Sequence, residues 1–184
     1  MKHYNIVVMG MGGVGKTALV THYNTIRSEG YEPSEEDSIL VQKEVDGEMC
    51  RMEILDTKPS SEFTAMRDLY LRNGDVFVLV YAVSSMASFT GLDDLYEQIV
   101  AARGNGTIVP IVLVANSLDG QAEEEVEIAV AEEKAESWNC PLIGVASGSP
   151  EAADLVFGAA VRHVNAIAPK KDTSNDPKSK CVIS

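Results

Sequence analysis

Apolar residues along this chain come in two spacings. Short unbroken runs, rich in β-branched residues, alternate with longer segments in which apolar positions recur every three or four residues. These are the signatures of buried strands and of amphipathic helices. Residues 4–9 predict a first strand, and residues 38–45 and 48–55 predict two more. Between the latter two lies Asp46-Gly47, a dipeptide favoured in two-residue hairpin turns. Residues 76–83 predict a strand buried on both faces, and 108–115 and 141–145 predict the last two. Helices are predicted after Lys16 and over 63–71, 92–103, 121–138 and 151–167, with Asn73-Gly74 ending the second. The last helix places Ala153, Val156, Phe157, Ala160, Val161 and Val164 on one face. Residues 26–37 and 56–62 read as loops. Strands alternating with helices imply an α/β fold, a mostly parallel sheet with helices on both faces.

The chemistry sits between the first strand and the first helix. Gly10-Met11-Gly12-Gly13-Val14-Gly15-Lys16-Thr17 fits the P-loop pattern G-x-x-x-x-G-K-[ST]. Glycines let the backbone turn tightly and aim its N–H groups inward, and the helix N-terminus adds unpaired donors with a partial positive charge. In this motif Lys16 reaches the β- and γ-phosphates and the Thr17 hydroxyl holds Mg²⁺.

Composition narrows the setting. The 184 residues suffice for one domain with a full core, and 45% hydrophobic with 23% charged is ordinary for a soluble globule. A formal net charge of −13 opposes nucleic acid as a partner, because phosphate backbones call for a basic surface. Seven glutamates between Gln121 and Glu136, against Lys134 alone, read as a solvated helix face. Three cysteines, Cys50, Cys140 and Cys181, are too few and too spread for a disulfide framework, so a reduced, cytoplasmic setting is expected. The N-terminus shows no signal-peptide pattern, and the longest apolar runs are too short to span a bilayer. Residues 168–184 are rich in lysine, serine, aspartate and proline and read as a flexible tail after a domain of residues 1–167.

Beyond the P-loop, Tyr31-Glu32-Pro33-Ser34, Glu36-Asp37-Ser38, Glu53-Ile54-Leu55-Asp56-Thr57, residues 63–70, Trp138-Asn139-Cys140 and Cys181-Val182-Ile183-Ser184 resemble the Ras family of small GTPases, with the Rap branch nearest. The resemblance runs along nearly the whole chain. It implies a P-loop NTPase fold with a six-stranded sheet, five strands parallel, flanked by five helices. It also implies a GTP/GDP switch using Mg²⁺, in which two loops change shape and bind effectors in the GTP state. On that basis Gly10, Gly12, Gly13, Val14, Gly15, Lys16, Thr17 and Ala18 would hold the nucleotide phosphates. Tyr31 and Ser34 would belong to the first switch, with the Ser34 hydroxyl on Mg²⁺ beside Thr17 and Asp56 reaching the metal through water. Asn116-Ser117-Leu118-Asp119 stands where the family has Asn-Lys-x-Asp, so Asn116 would brace the base pocket and Asp119 would accept from guanine N1 and N2. Ala146-Ser147-Gly148 stands where the family has Ser-Ala-Lys.

Further departures weaken the pattern. Pro59 replaces a glycine whose N–H reports the γ-phosphate, and proline has no N–H to give. Ser60 stands where the water-positioning residue belongs, which makes it, with Lys16, the catalytic candidate and implies dependence on an activating protein. No aromatic residue matches the one that covers the base. The expected activity is therefore slow GTP hydrolysis in a signalling switch. The alternative is a pseudo-GTPase, a prenylated binding module that does not cycle. An exchange factor, a GTPase-activating protein and effectors with a basic surface facing Glu35, Glu36 and Asp37 are the expected partners.

Residues 181–184 fit a C-a-a-X box, with serine favouring farnesylation of Cys181 and attachment to the cytoplasmic face of a membrane, the plasma membrane being the expected one. One lipid holds only marginally, so Lys170, Lys171, Lys178 and Lys180 would supply the second signal, at about 1 kcal/mol each at most. Cys181→Ser is expected to shift the protein from membrane to cytosol in cell fractionation. A variant that stays with the membrane pellet would place the anchor elsewhere.

Overall fold

In a computed structural model the chain runs β1 (Lys2–Met9), α1 (Lys16–Thr25), β2 (Ser38–Val45), β3 (Glu48–Asp56), α2 (Thr64–Asn73), β4 (Val76–Ala82), α3 (Met86–Arg103), β5 (Ile111–Ser117), α4 (Ile128–Ser137), β6 (Leu142–Ala146) and α5 (Pro150–Ile167). The structure describes residues 1–25, 38–57, 64–104, 106–118, 123–146 and 148–168. Six strands form one sheet in the order β2-β3-β1-β4-β5-β6. Every neighbouring pair is parallel except the β2–β3 hairpin, as expected for this α/β class. At the hairpin turn Asp46 (φ 52°) and Gly47 (φ 83°) both take positive φ, which is what a type I′ turn requires.

β4 shows why the sheet needs two covers. All seven of its residues are buried. Val76, Val78, Val80 and Ala82 join one cluster with α1 and α5, while Phe77, Leu79 and Tyr81 join another with residues of α2, α3 and α4. Side chains alternate across a strand, so a strand apolar at every position must be roofed on both faces. The α5 stripe behaves as its spacing predicts: Ala153, Val156, Phe157, Ala160 and Val161 are buried and Val164 packs at the margin. The Phe157 ring lies 5.0 Å from that of Tyr23 on α1. On the opposite face Tyr96 of α3 stacks on Trp138 at 4.5 Å, and the Lys134 ammonium lies over Phe89 at 4.0 Å while pairing with Asp93. No helix among the described residues is long and apolar enough to cross a membrane.

Two element boundaries differ from the sequence expectation. α3 begins at Met86 rather than at residue 92, because a serine cluster builds its first turn. Ser85 caps by accepting the Ser88 N–H, and the Ser88 hydroxyl donates to the Ser85 carbonyl. Such bonds leave no apolar periodicity to read. The acidic helix expected from Gln121 begins only at Ile128. Glu123–Glu127 form a strap instead: the N–H groups of Glu125 and Val126 both donate to the Val83 carbonyl, Val126 is buried, and the Glu125 carboxylate accepts the Met86 N–H. Of the seven glutamates, only Glu132, Glu133 and Glu136 therefore ride on α4. The remaining ends shift by a few residues at most. The tail expected at residues 168–184 lies outside the described residues after Ala168.

Phe157 has no exposed surface and fills the gap between α5 and α1. Phe157→Ala should cost about 3–5 kcal/mol in urea denaturation, the range for deleting a fully buried aromatic ring. A loss under about 1 kcal/mol would mean that this contact does not hold α5 to the sheet.

Candidate functional site

Strand order reverses at β1: the chain moves to β3 on one side and β4 on the other. In open α/β sheets the crevice at the carboxyl ends of strands beside such a reversal receives ligands. Here it receives the loop from Gly10 to Gly15. Gly10 lies so close to β4 that a Cβ on it would stand 2.3 Å from the Val80 carbonyl oxygen, which no side chain can occupy. Gly13 (φ 82°) is in the region that favours glycine, though space around it is open.

The loop closes on its own lysine. The Lys16 ammonium donates to the carbonyls of Gly10 (2.7 Å) and Met11 (2.9 Å), and the residue is only 5% exposed. Burial lowers its pKa, and the nearby Asp56 carboxylate opposes that shift. An ammonium so placed gains from an arriving anion, whose charge offsets the hydration that burial removed. Thr17, one residue on, sends its hydroxyl to Asp56 Oδ2 at 2.7 Å. Asp56 ends β3 and is 7% exposed, and its other oxygen is buried without a partner. A hydroxyl and a carboxylate with a spare buried oxygen form an all-oxygen donor set that suits Mg²⁺, which keeps waters and takes only one or two protein ligands alongside phosphate. Thr57 anchors the end of β3 to β1: its N–H and its hydroxyl both donate to the Val8 carbonyl, at 3.1 and 2.7 Å.

The far side of the site is tied in by one side chain. Asn116, at the end of β5 and fully buried, donates Nδ2 to the Val14 carbonyl at 2.8 Å, while its Oδ1 has no partner. A bond spanning 102 residues of sequence thus joins the P-loop to β5. Ala146, exposed at the end of β6, and Gly148 (φ 86°) complete the described part of this end. The structure therefore brings Gly10, Gly12, Gly13, Val14, Gly15, Lys16, Thr17, Ala18, Asp56, Asn116 and Ala146 to one end of the sheet. Tyr31, Ser34, Pro59, Ser60, Asp119, Ser147 and Cys181 lie outside the described residues.

A family comparison bears on this arrangement. The Ras family model matches residues 5–166. This chain belongs to the Ras family. Ras family proteins are small GTPase switches that bind guanine nucleotide, usually with Mg²⁺, and work through regulators and effectors.

Some contributors carried no signal in the sequence. Met11 occupies a variable position of the motif, yet its carbonyl holds Lys16. Its side chain lies beside α3, where a Cβ on Gly91 would stand 3.5 Å from Met11 Cε. A glycine inside a helix costs about 1 kcal/mol relative to alanine, and the opening it leaves here is where the Met11 side chain rests. Both residues line a cleft of about 310 Å³ between the P-loop, α2 and α3. The Thr57 anchor was likewise invisible, since nothing in a threonine's sequence context marks a bond to a neighbouring strand.

Gly10→Ala should destabilise the protein by about 1–3 kcal/mol, because the Val80 carbonyl cannot yield without disturbing the β1–β4 pairing. Thermal denaturation would register the loss, and an unchanged Tm would show that the loop clears β4 by another path.

Proposed function

We propose that this chain is a Ras-family switch that binds GDP and GTP with Mg²⁺ and hydrolyses GTP slowly when unaided. The observation that carries the reading is the buried Lys16 ammonium beside the Thr17–Asp56 pair, a cation and an oxygen donor set at the start of one helix. Lys16 and the N–H groups at the start of α1 would bind the β- and γ-phosphates. Thr17 would hold the metal directly, Ser34 would join it from the first switch, and Asp56 would orient a metal-bound water through its spare oxygen. Mg²⁺ held there would supply neutralisation of phosphate charge. Asn116 would keep the base end of β5 in register with the P-loop, and Asp119 would select guanine by pairing with N1 and N2, since a wrong base would leave its carboxylate unpaired.

Slow hydrolysis follows from the second loop. A positioned acid–base group contributes about 10²–10⁴-fold, and the Ser60 hydroxyl is too short to orient water as a glutamine does. An activating protein would supply that function, and an exchange factor would reset the switch. Among the described residues β2 is the outer strand of the sheet, next to β3 alone, so its outer edge could accept a strand from an effector whose basic surface meets Glu35, Glu36 and Asp37. Farnesylated Cys181 would hold the switch at the plasma membrane.

Titrating GDP, GTP and ATP with and without Mg²⁺ tests the reading. Wild type should prefer both guanine nucleotides to ATP and lose affinity on chelation. Thr17→Ala should abolish most of the Mg²⁺ dependence, and Asp119→Ala most of the preference for guanine. Equal affinity for ATP and GTP would overturn the guanine assignment. Tight GTP binding with no turnover even beside an activating protein would favour the non-cycling module instead.

A further inference from the structure

One residue holds the chain on both sides of the proposed base motif. Val83 follows β4 directly, and its N–H donates to the Asn116 carbonyl near the end of β5 at 3.0 Å. Its carbonyl accepts the N–H groups of Glu125 and Val126, at 2.9 and 3.1 Å. Residues 119–122 lie outside the described residues, but their two flanks thus converge on Val83: β5 on the way out and the Glu123–Glu127 strap on the way back. Val126 adds an apolar anchor, buried in the cluster that contains Phe89 and Ala131.

A further tie comes from a side chain. Glu125 Oε2 accepts the Met86 N–H at 2.8 Å. Met86 opens α3, whose first turn has no acidic residue of its own. The first N–H groups of a helix lack partners within it and carry a partial positive charge. Ser85 satisfies the Ser88 N–H from within the local sequence, and Glu125 satisfies the Met86 N–H from 39 residues away. A carboxylate accepting a backbone N–H makes a charge-assisted bond, stronger than one between neutral groups. Among the described residues no other side chain of the strap makes a hydrogen bond.

We propose that Glu125 is a positioning residue for base recognition. Its carboxylate fastens the strap to the start of α3 and so fixes where the chain returns to the body after the base motif. The effect on nucleotide rests on the guanine-switch reading, whereas the tie itself belongs to the protein without ligand.

Four measurements on the full chain test this. Amide exchange at Met86 and Val126 in the nucleotide-free protein should quicken in Glu125→Ala and return towards wild type in Glu125→Gln, which keeps an acceptor oxygen at the same reach. Release of fluorescent GDP should be roughly 3- to 10-fold faster in Glu125→Ala, the weight of about one hydrogen bond. Affinity for inorganic pyrophosphate, which fills only the phosphate end, should stay the same. Ser85→Ala, which removes the helix's own cap and leaves the strap bond, should lower Tm without speeding GDP release. Unchanged exchange and unchanged release in Glu125→Ala would overturn the proposal. An equal loss of pyrophosphate affinity would overturn it too, by placing the effect on the P-loop. So would equal acceleration by Ser85→Ala, since the effect would then run through the stability of α3. If Glu125→Ala fails to fold, Glu125→Lys against Glu125→Gln makes the same comparison, a cation at the positive helix end against a neutral acceptor. If wild type binds no guanine nucleotide, the switch reading falls and the base role with it, while exchange at Met86 and Val126 still decides whether the carboxylate holds the strap.

Discussion

A buried ammonium sets the terms for this site. Lys16 is almost wholly out of solvent, and its partners are two carbonyls of its own loop. Burying a charge is costly unless it is paired and hydrogen-bonded. The fold answers from two directions. The tight turn through Gly10 presents the carbonyls of Gly10 and Met11 to it, and β3 ends at Asp56, near enough to oppose the loss of its proton. Neither neutralises it fully, since burial still dominates its pKa shift. A buried ammonium in this position gains from a nearby anion, which is the charge logic of a phosphate-binding loop.

The fold was legible because the two-sided sheet writes itself into the sequence. A strand such as β4 must be apolar at each position, and an amphipathic helix such as α5 must repeat its apolar face, so both types of element stood out. What failed were segments whose order comes from polar bonds. The start of α3 is built by Ser85 and Ser88, and the strap before α4 by Glu125 and the Val83 carbonyl. In a sequence, glutamates in a row look like a solvated helix. Only the structure reveals that one of them caps the helix next door.

The site divides along the same line. Lys16, Thr17 and Asp56 could be named in advance because phosphate and metal chemistry restricts which residue types serve and where. Asn116 could be named from family resemblance, but its bond to Val14 could not, because it crosses 102 residues and depends on how far β5 extends beyond the P-loop. Met11 and Thr57 contribute through a carbonyl and a strand tie, and no residue-type rule restricts such roles.

The distribution of these contacts separates stability from function. Stability resides in the two apolar clusters and in the ring pairs Tyr23–Phe157 and Tyr96–Trp138, which lie within the sheet-and-helix body and not at the strand ends. Of the ion pairs between α5 and the β2–β3 hairpin, Lys43 with Asp154 is half-buried and Arg162 with Asp46 is exposed, and exposed pairs are worth about 0–1 kcal/mol. The site, by contrast, rests on a handful of polar contacts at the strand ends, two of them with a further buried oxygen, Asp56 Oδ1 and Asn116 Oδ1, that has no partner among the described residues. A buried acceptor left unpaired costs about 1–3 kcal/mol. A switch requires that separation, because a ligand shifts an equilibrium only by its differential affinity for two states. Because the apolar clusters and the polar site share few residues, the interaction energy of a ligand at the strand ends acts on polar contacts and not on core packing.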